Sequence, residues 1–250
     1  MTATDLNPTR RSSVLRMAGG GIHFDGVKAV DGVTIEVRSG EVLGLIGPNG
    51  SGKTSTLNLL SGMLKASAGS ISIDDQDITR LSMRQRARRG VVRTFQSGRV
   101  FGRLTVWENV EAAALGGGLR RPAARALTAE IIEELGLEPV AHDLAQQLTA
   151  GRVRTAAIAR ALATGPRFLL LDEPAAGQNE SEAVELITAI RGFAQRRDCG
   201  VLLVEHDMSV VMGTCDRLHV LDSGRTVVEG EPATVRSDPR VIEIYFGKRH

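Results

Sequence analysis

The sequence predicts an α/β fold with a mostly parallel sheet at its core, an antiparallel β subdomain and an inserted helical subdomain. Three apolar runs, EVLGLIG at 41–47, RFLLLDEP at 167–174 and VLLVEHD at 201–207, end in glycine or in polar residues. Runs of Val and Leu that do not alternate with polar residues are typical of parallel strands covered on both faces. Aromatic residues make up only 3% of the chain, so we expect a core of Leu, Val, Ile and Ala.

The antiparallel subdomain is predicted from residues 21–41, GIHFDGVKAVDGVTIEVRSGE, in which apolar and polar residues alternate through VTIEVR. Such alternation is typical of strands with one buried face. Residues 181–197, SEAVELITAIRGFAQRR, predict a crossover helix between the second and third apolar runs, because apolar residues recur there at helical spacing. These residues are Ala183, Leu186, Ile187, Ile190 and Phe193.

The helical subdomain is predicted at about 97–165, which lacks strand-like runs and is rich in Ala, Arg, Leu and Glu. We expect one domain over 17–250, with its core at about 17–96 and 166–250. Residues 1–16 are expected to form a flexible tail, because no apolar segment follows the arginines there, as a secretory signal would require.

Composition argues against several classes of protein. The net charge of +2, from 31 basic and 29 acidic residues, is too small to indicate nucleic-acid binding. The arginine clusters RQRARRG and GLRRPAARA are interpreted as solvated helix faces. Cys199 and Cys215 have no spacing that indicates a disulfide framework or a zinc site. No run approaches the roughly 18 apolar residues that span a bilayer, so we expect an intracellular protein.

The sequence GPNGSGKT at 47–54 matches the Walker A pattern GxxxxGK[ST] and stands between a strand and a helix. Glycines in such a loop let backbone N–H groups converge on a phosphate, and the helix N-terminus adds partial positive charge. Lys53 would contact the β- and γ-phosphates, and Thr54 would bind Mg²⁺. A turn that only links strand and helix is the alternative, but the context favours nucleotide binding. The residues assigned to the nucleotide are Gly47, Pro48, Asn49, Gly50, Ser51, Gly52, Lys53, Thr54 and Ser55.

Polar residues end the other two apolar runs. Asp172 and Glu173 follow FLLL, and His206 follows VLLVE, at strand ends where α/β sheets bind ligands. Asp172 suits the Mg²⁺ shell, and Glu173 can polarise an attacking water. His206 could donate a hydrogen bond to the γ-phosphate. The alternatives are a capping pair at a strand end and a packed or surface histidine.

These motifs and their order resemble the nucleotide-binding subunits of ABC transporters, from about Met17 onwards. The resemblance rests on the Walker A motif, Gln96 in VVRTFQ, a turn at Leu148, LLLDEP and His206. It implies a P-loop NTPase core of the ABC ATPase type. The segments GVVRTFQSGRVFGRLTVWENV, EPAAGQN, VEHDMSVVMGTCDRLHVLDSGRTVVEG and VIEIYFG resemble the branched-chain (neutral) amino acid importer ATPases. Lipopolysaccharide exporters and urea importers share much of this pattern.

The resemblance implies roles for residues at matching positions. Phe24 would stack on adenine, with a core phenylalanine as the alternative. Gln96 would sense Mg²⁺ and the attacking water and link the core to the helical subdomain, and the stretch after it would receive a helix of the membrane subunit. Residues 176–179, AGQN, occupy the D-loop position, which crosses to the other subunit and ends in Asn179 in place of the commoner Asp.

The stretch 148–152, LTAGR, occupies the position of the family's LSGGQ signature, which closes on the γ-phosphate held by the opposite subunit. Thr149 keeps a hydroxyl that can cap a helix, and Gly151 is retained. Ala150 adds a methyl group where the family usually has glycine, and Arg152 replaces an amide by a cation that a phosphate would attract. We interpret the turn as a weakened phosphate contact, with an ordinary capped helix start as the alternative.

The predicted function is an ATPase subunit with ATP and Mg²⁺ as cofactors, which powers import of branched-chain or other amino acids. The expected partners are a second ABC ATPase subunit, as a homodimer or heterodimer, transmembrane permease subunits and, indirectly, a solute-binding protein. No nucleic acid is expected as a partner. The expected location is the cytoplasmic side of the cell membrane. A non-transport ABC ATPase and a subunit that binds ATP without turnover are the alternatives.

Overall fold

Two β-sheets form the framework of the fold, one mostly parallel and one antiparallel. The computed structural model describes residues 13–24, 27–94 and 99–246. In chain order its strands are β1 (Val14–Phe24), β2 (Val27–Arg38), β3 (Val42–Ile46), β4 (Ala68–Ile73), β5 (Gln76–Asp77), β6 (Val91–Arg93), β7 (Phe168–Asp172), β8 (Gly200–Val204), β9 (Arg217–Asp222) and β10 (Arg225–Gly230).

The six-stranded sheet has the order β10-β9-β3-β8-β7-β6, and all its neighbours are parallel except β9 and β10. The predicted mostly parallel core is therefore confirmed. Because β3, β8 and β7 are adjacent and parallel, they end at one edge of the sheet, which we call the carboxyl edge. The predicted antiparallel subdomain is the four-stranded sheet β2-β1-β4-β5.

Successive residues of β7 serve two different cores, because side chains alternate between the faces of a strand. Leu169 and Leu171 are buried in the core that includes the helical region. Leu170 is buried on the other face, together with Leu15 and Met17 of the antiparallel sheet. A strand that is covered on both faces needs the unbroken apolar run that its sequence shows.

The helices of the described residues surround these sheets. They are α1 (Lys53–Ser61), α2 (Met83–Ala87), α3 (Val106–Gly116), α4 (Arg121–Glu134), α5 (Ala150–Ala163), α6 (Glu180–Arg196), α7 (Met208–Thr214), α8 (Pro232–Ser237) and α9 (Pro239–Phe246), with 3-10 helices at Glu138–Val140 and Ala145–Gln147. Helices α3, α4 and α5 pack against one another and contribute to the same hydrophobic core as Leu169 and Leu171 of β7. None of the described helices is long and apolar enough to cross a membrane.

Helix α6 is the predicted crossover helix between β7 and β8, and the five apolar positions named for it are all buried. Its first turn is held by a capping box. The Asn179 side chain accepts a hydrogen bond from the Glu182 backbone N–H at 2.9 Å, and the Glu182 carboxylate accepts one from the Asn179 N–H at 3.1 Å. Asn179 therefore starts this helix, a role that asparagine fills as well as aspartate.

A buried arginine fixes the far end of α1. The guanidinium of Arg86, only 1% exposed, donates hydrogen bonds to the carbonyl oxygens of Leu59, Leu60, Thr79 and Leu81. Two of these carbonyls belong to the last turn of α1, where a cation also offsets the negative end of the helix dipole. Burial lowers the pKa of Arg86 to about 10.

The chain start differs from the expected tail. Strand β1 begins at Val14, so residues 14–16 belong to the antiparallel sheet, where Val14 pairs with Arg38 and Arg16 pairs with Glu36 of β2. Apolar residues at alternate positions, Leu15 and Met17, turn this segment into a strand with one buried face. Residues 1–12 lie outside the described residues, as does Gln96.

Candidate nucleotide-binding site

The Walker A loop follows β3 at the carboxyl edge and leads into α1, which begins at Lys53. Gly47 has φ 150° and Gly52 has φ 101°, values that side chains rarely allow. A Cβ atom at Gly47 would lie well inside 3.0 Å of the Leu221 carbonyl oxygen, and one at Gly52 would do the same at the Ala29 oxygen. Both positions therefore need glycine so that the loop can pass so close to backbone.

The loop is tied down from the neighbouring β9–β10 turn. The Gly224 N–H donates to the Ser51 carbonyl at 3.0 Å, and the Thr56 N–H donates to the Gly52 carbonyl at 2.8 Å. These bonds fix both the loop and the first turn of α1, where unpaired N–H groups point outward from the helix. The result is a rigid ring of donors of the kind that binds phosphate.

Lys53 lies over this loop with only 9% of its surface exposed. Its ammonium donates to the carbonyl oxygens of Gly47 at 2.7 Å and Pro48 at 3.0 Å. Burial lowers the pKa of Lys53, while the carboxylates of Glu173 and Asp172 act in the opposite direction. The lysine thus brings a positive charge to the place where the loop donors converge.

Asp172 is the last residue of β7, and its carboxylate is almost fully buried. Its Oδ2 pairs with Nη2 of Arg93 at 2.9 Å, with side-chain exposures of 7% and 5%. Arg93 was not named from the sequence. The available signal was a cation directly after the apolar pair Val91 and Val92, at a strand end next to β7.

Glu173 begins the turn after β7 in a left-handed backbone conformation, with φ 47°. Such a conformation costs a non-glycine residue about 1–3 kcal/mol, so surrounding bonds must hold it. The Glu173 N–H donates to the Val204 carbonyl at 2.9 Å, and the Ala175 N–H donates to Oε1 of Glu205 at 3.2 Å. These two bonds hold the turn in which Glu173 keeps its left-handed backbone.

Glu205 is a second residue that the sequence analysis missed. It follows β8, is 3% exposed, and accepts hydrogen bonds from the backbone N–H groups of Ala175 and, at 3.4 Å, His206. Burial raises the pKa of Glu205, and the two hydrogen bonds partly offset this effect. A carboxyl group directly after the apolar run VLLV was the only signal in the sequence.

His206 comes next, with its imidazole largely exposed and its Nδ1 3.8 Å from Oε2 of Glu205. The structure therefore excludes the packed histidine considered as an alternative. Lys53, Asp172, Glu173 and His206 all follow the adjacent strands β3, β7 and β8, so the carboxyl edge brings them together.

Phe24 ends β1 and is 45% exposed, so it is not the core phenylalanine considered as an alternative. An exposed ring can stack on a base, and this role stays a prediction. The role expected for Gln96 also stays a prediction, because that residue lies outside the described residues.

The signature turn, residues 148–152, begins α5. Thr149 caps the helix, with its hydroxyl accepting from the Arg152 N–H at 3.5 Å. The Arg152 guanidinium donates to the Gly136 carbonyl at the end of α4. The Arg152 guanidinium is thus bonded within the helical region of its own chain. A cleft of about 680 Å³ separates this turn from α6, and its lining includes Gly151 and Glu182.

A second arginine of α5 reaches the D-loop. Arg154 donates through Nη1 to the carbonyl of Ala176, three residues after Glu173. The start of α5 and the turn after β7 are therefore joined within one chain, although 22 residues separate the bonded pair in sequence.

Comparison with known proteins agrees with this geometry. The chain matches the ABC transporter family over residues 30–176 and the branched-chain amino acid ATP-binding cassette transporter family over residues 225–250. The high-affinity branched-chain amino acid transport ATP-binding protein LivG of Salmonella typhimurium is 39% identical to it over 242 residues, which cover 91% of this chain and 95% of LivG.

Two further similarities extend over most of the chain. The lipopolysaccharide export system ATP-binding protein LptB of Haemophilus influenzae is 37% identical over 226 residues, which cover 89% of this chain and 92% of LptB. A solved ATP-binding cassette of an ABC transporter in its ADP conformation superposes with a TM-score of 0.81 and 31% identity, covering 94% of this chain and 99% of that one. The chain therefore belongs to the ABC transporter family and is a nucleotide-binding ATPase of that family.

Proposed function

We propose that this chain binds ATP together with Mg²⁺ and hydrolyses ATP to power the import of branched-chain or other amino acids. The observation that carries the catalytic part is the carboxyl edge, where the Walker A loop, Asp172, Glu173 and His206 follow three adjacent strands. A phosphate-binding loop, two carboxylates and an imidazole at one edge form the set that nucleotide hydrolysis requires.

The nucleotide phosphates are held by backbone N–H groups of the Walker A loop and of the start of α1, which Pro48 cannot supply, and by the Lys53 ammonium. The glycines at 47 and 52 let the loop pack closely against the Leu221 and Ala29 carbonyls, which fixes its course and supports this assignment. Phe24, exposed at the end of β1, stacks on the adenine ring.

Mg²⁺ is held by the Thr54 hydroxyl and the Asp172 carboxylate, with Gln96 as a further ligand. Hydroxyl and carboxylate oxygens are the hard donors that this ion prefers. The described part of the chain contains no group of three or more His, Cys, Asp or Glu residues that could hold a metal. The Thr54 hydroxyl and the Asp172 carboxylate nevertheless fit Mg²⁺, because this ion keeps several waters and shares its shell with substrate phosphates. Thr54 and Asp172 would hold the ion, and the ion would supply neutralisation of charge on the phosphates.

Glu173 polarises the water that attacks the γ-phosphate, a role worth about 10²–10⁴ in rate. Its left-handed backbone begins the turn after β7, whereas Asp172 is still the last residue of the strand. The exposed imidazole of His206 donates a hydrogen bond to the γ-phosphate.

The second ATPase subunit completes each site. The N-terminus of α5, with Thr149, Ala150 and Gly151, contacts the γ-phosphate held by the partner. The helix start and its cap are intact, which supports this contact. The bond from Arg152 to Gly136 favours a role in fixing the turn, in addition to any attraction to phosphate. The pair is a homodimer or a heterodimer.

The membrane partners are permease subunits, with a solute-binding protein acting indirectly, and the chain works on the cytoplasmic side of the membrane. LivG, described as a branched-chain amino acid transport protein, supports the choice of solute. Residues 14–250 form one ABC ATPase domain, because β1 begins at Val14, with a core at about 14–96 and 166–250 and a helical subdomain at about 97–165. No nucleic acid takes part.

Lipopolysaccharide export is the second candidate, because LptB is nearly as similar to this chain as LivG. Reconstitution with candidate permeases in vesicles distinguishes the two. Uptake of leucine driven by this chain supports the amino acid role, and extraction of lipopolysaccharide without amino acid uptake overturns it.

The ATPase part is tested with Glu173→Gln in the full chain. We expect the variant to lose hydrolysis and to accumulate ATP-bound dimers, measured by phosphate release and size-exclusion chromatography. Glu138→Gln, at an exposed glutamate outside the site, is the matched control. Hydrolysis by Glu173→Gln at the wild-type rate contradicts the role given to Glu173.

A further inference from the structure

Arg93 joins three elements directly beneath the predicted metal ligands. It ends β6, its Nη2 pairs with Asp172 at the end of β7, and its Nη1 donates to Oδ1 of Asn58 on α1. Arg93 and Asp172 are both nearly fully buried, with side-chain exposures of 5% and 7%.

The position of Asn58 relates this junction to Thr54. The two residues are four apart on α1, so their side chains lie on the same face of the helix, one turn apart. The guanidinium therefore bridges the helix turn below Thr54 and the strand end that carries Asp172. Arg93 thus contacts one proposed Mg²⁺ ligand, Asp172, directly, and contacts the helix that carries the other, Thr54, one turn away from it.

The ion pair between Arg93 and Asp172 involves only one of the two carboxylate oxygens of Asp172. Oδ2 of Asp172 is engaged by Arg93 at 2.9 Å, which leaves Oδ1 for a ligand at the carboxyl edge. A buried ion pair adds little net stability compared with apolar residues of similar volume, because desolvation offsets the attraction. A fixed carboxylate orientation is what an apolar replacement could not supply.

We propose that Arg93 is a positioning residue that orients Asp172 for Mg²⁺ and thereby sets how much Mg²⁺ nucleotide binding requires. The inference rests on the proposed function, in which Asp172 and Thr54 hold that ion. Groups that hydrogen-bond to metal ligands typically change metal affinity by about 10–100-fold when removed. Arg93 acts through Asp172 and Asn58, so we expect its replacement to change the Mg²⁺ requirement more than the metal-free binding.

The test measures binding of a fluorescent ATP analogue to the full chain, with increasing Mg²⁺ and with EDTA. For Arg93→Gln we expect the half-saturating Mg²⁺ concentration to rise about 10–100-fold, with metal-free binding within twofold of wild type. Arg93→Lys keeps a cation but not the two-pronged guanidinium, so its half-saturating Mg²⁺ concentration should lie between those of wild type and Arg93→Gln. Arg167→Gln, which breaks the exposed pair with Asp74, is the matched control and should leave both values unchanged.

A purely structural role of Arg93 gives a different result. It weakens metal-free and Mg²⁺-supported binding together, or it leaves the Mg²⁺ dependence of Arg93→Gln equal to that of wild type, and either outcome overturns the proposal. If Arg93→Gln does not fold by circular dichroism, Arg93→Lys and Asn58→Ala decide: a raised Mg²⁺ requirement supports the proposal, and an unchanged one overturns it. A wild-type chain that binds no ATP analogue contradicts the proposed function instead.

Discussion

The carboxylate of Glu205 accepts the backbone N–H of Ala175 at 3.2 Å, across 30 residues of sequence. This bond holds the turn that keeps Glu173 in its left-handed conformation. Replacing Glu205 by Leu removes the acceptor, and a displacement of 1 Å in a catalytic group can cost about 10²-fold in rate. We therefore expect kcat of Glu205→Leu to fall about 10–100-fold, measured by steady-state phosphate release. Glu205→Gln keeps an acceptor oxygen, so an equal loss in both variants would contradict this explanation.

The same residue makes stability depend on pH. Burial raises the pKa of Glu205 above 4.5 in the folded chain. Its contribution to stability is therefore complete below pH 4.5 and is lost as the pH rises through the folded pKa. We expect Glu205→Gln to gain stability relative to wild type as the pH rises from 4.5 through the folded pKa of Glu205, measured by urea unfolding at a series of pH values. A difference in unfolding free energy that does not change with pH would rule this out.

Arg86 provides a test of how the C-terminal end of α1, the helix after the Walker A loop, is stabilised. Arg86→Met leaves the carbonyls of Leu59, Leu60, Thr79 and Leu81 without their donor, and each buried group left unsatisfied costs about 1–3 kcal/mol. We expect a loss of at least about 3 kcal/mol in unfolding free energy by chemical denaturation. Arg84→Met changes an exposed residue of α2, the helix that also carries Arg86, and its unfolding free energy should stay within about 0.5 kcal/mol of wild type.

Gly47 should not tolerate even one added carbon. In Gly47→Ala the methyl group would collide with the Leu221 carbonyl, so we expect loss of ATP binding and a lower melting temperature. The control is Gly213→Ala in α7, where an added Cβ meets nothing within 4 Å. Alanine is favoured over glycine in helices by about 1 kcal/mol, so this variant should be slightly more stable. Equal behaviour of the two variants would contradict the steric argument.

The signature turn gives a prediction about turnover. Ala150→Gly combined with Arg152→Gln restores the usual family residues, and we expect the steady-state ATPase rate of the assembled dimer to rise. The change should also free the turn from Gly136, because glutamine is too short and uncharged to replace the guanidinium there. Ala150→Gly alone separates the methyl group from the arginine. An unchanged rate in all variants would leave the turn as a helix cap only.

Sequence reasoning located the parts of this site that are contiguous in the chain. The Walker A loop, Asp172 and the crossover helix each carry their signal within one short segment, either as a motif or as a period. The capping box of Asn179 and Glu182 was not predicted, although its two residues are only three apart. Local patterns of this kind can be read from sequence because they depend only on the backbone geometry of one short segment.

The residues that were missed act through pairs distant in sequence. Arg93 and Asp172 are 79 residues apart, and Arg86 and Leu59 are 27 apart. Each pair depends on how strands and helices come together, which no single segment encodes. A buried cation or carboxyl group is visible in sequence only as a charge next to apolar residues, and most such charges are solvated.

The bond from Arg154 to the Ala176 carbonyl has a mechanical consequence. Arg154 lies on the helix that starts at the signature turn, and Ala176 belongs to the turn that starts at Glu173. A rotation of α5 relative to the six-stranded sheet must stretch or break this bond. A movement of the start of α5 relative to the turn after Glu173 is therefore transmitted to that turn through the Arg154 side chain.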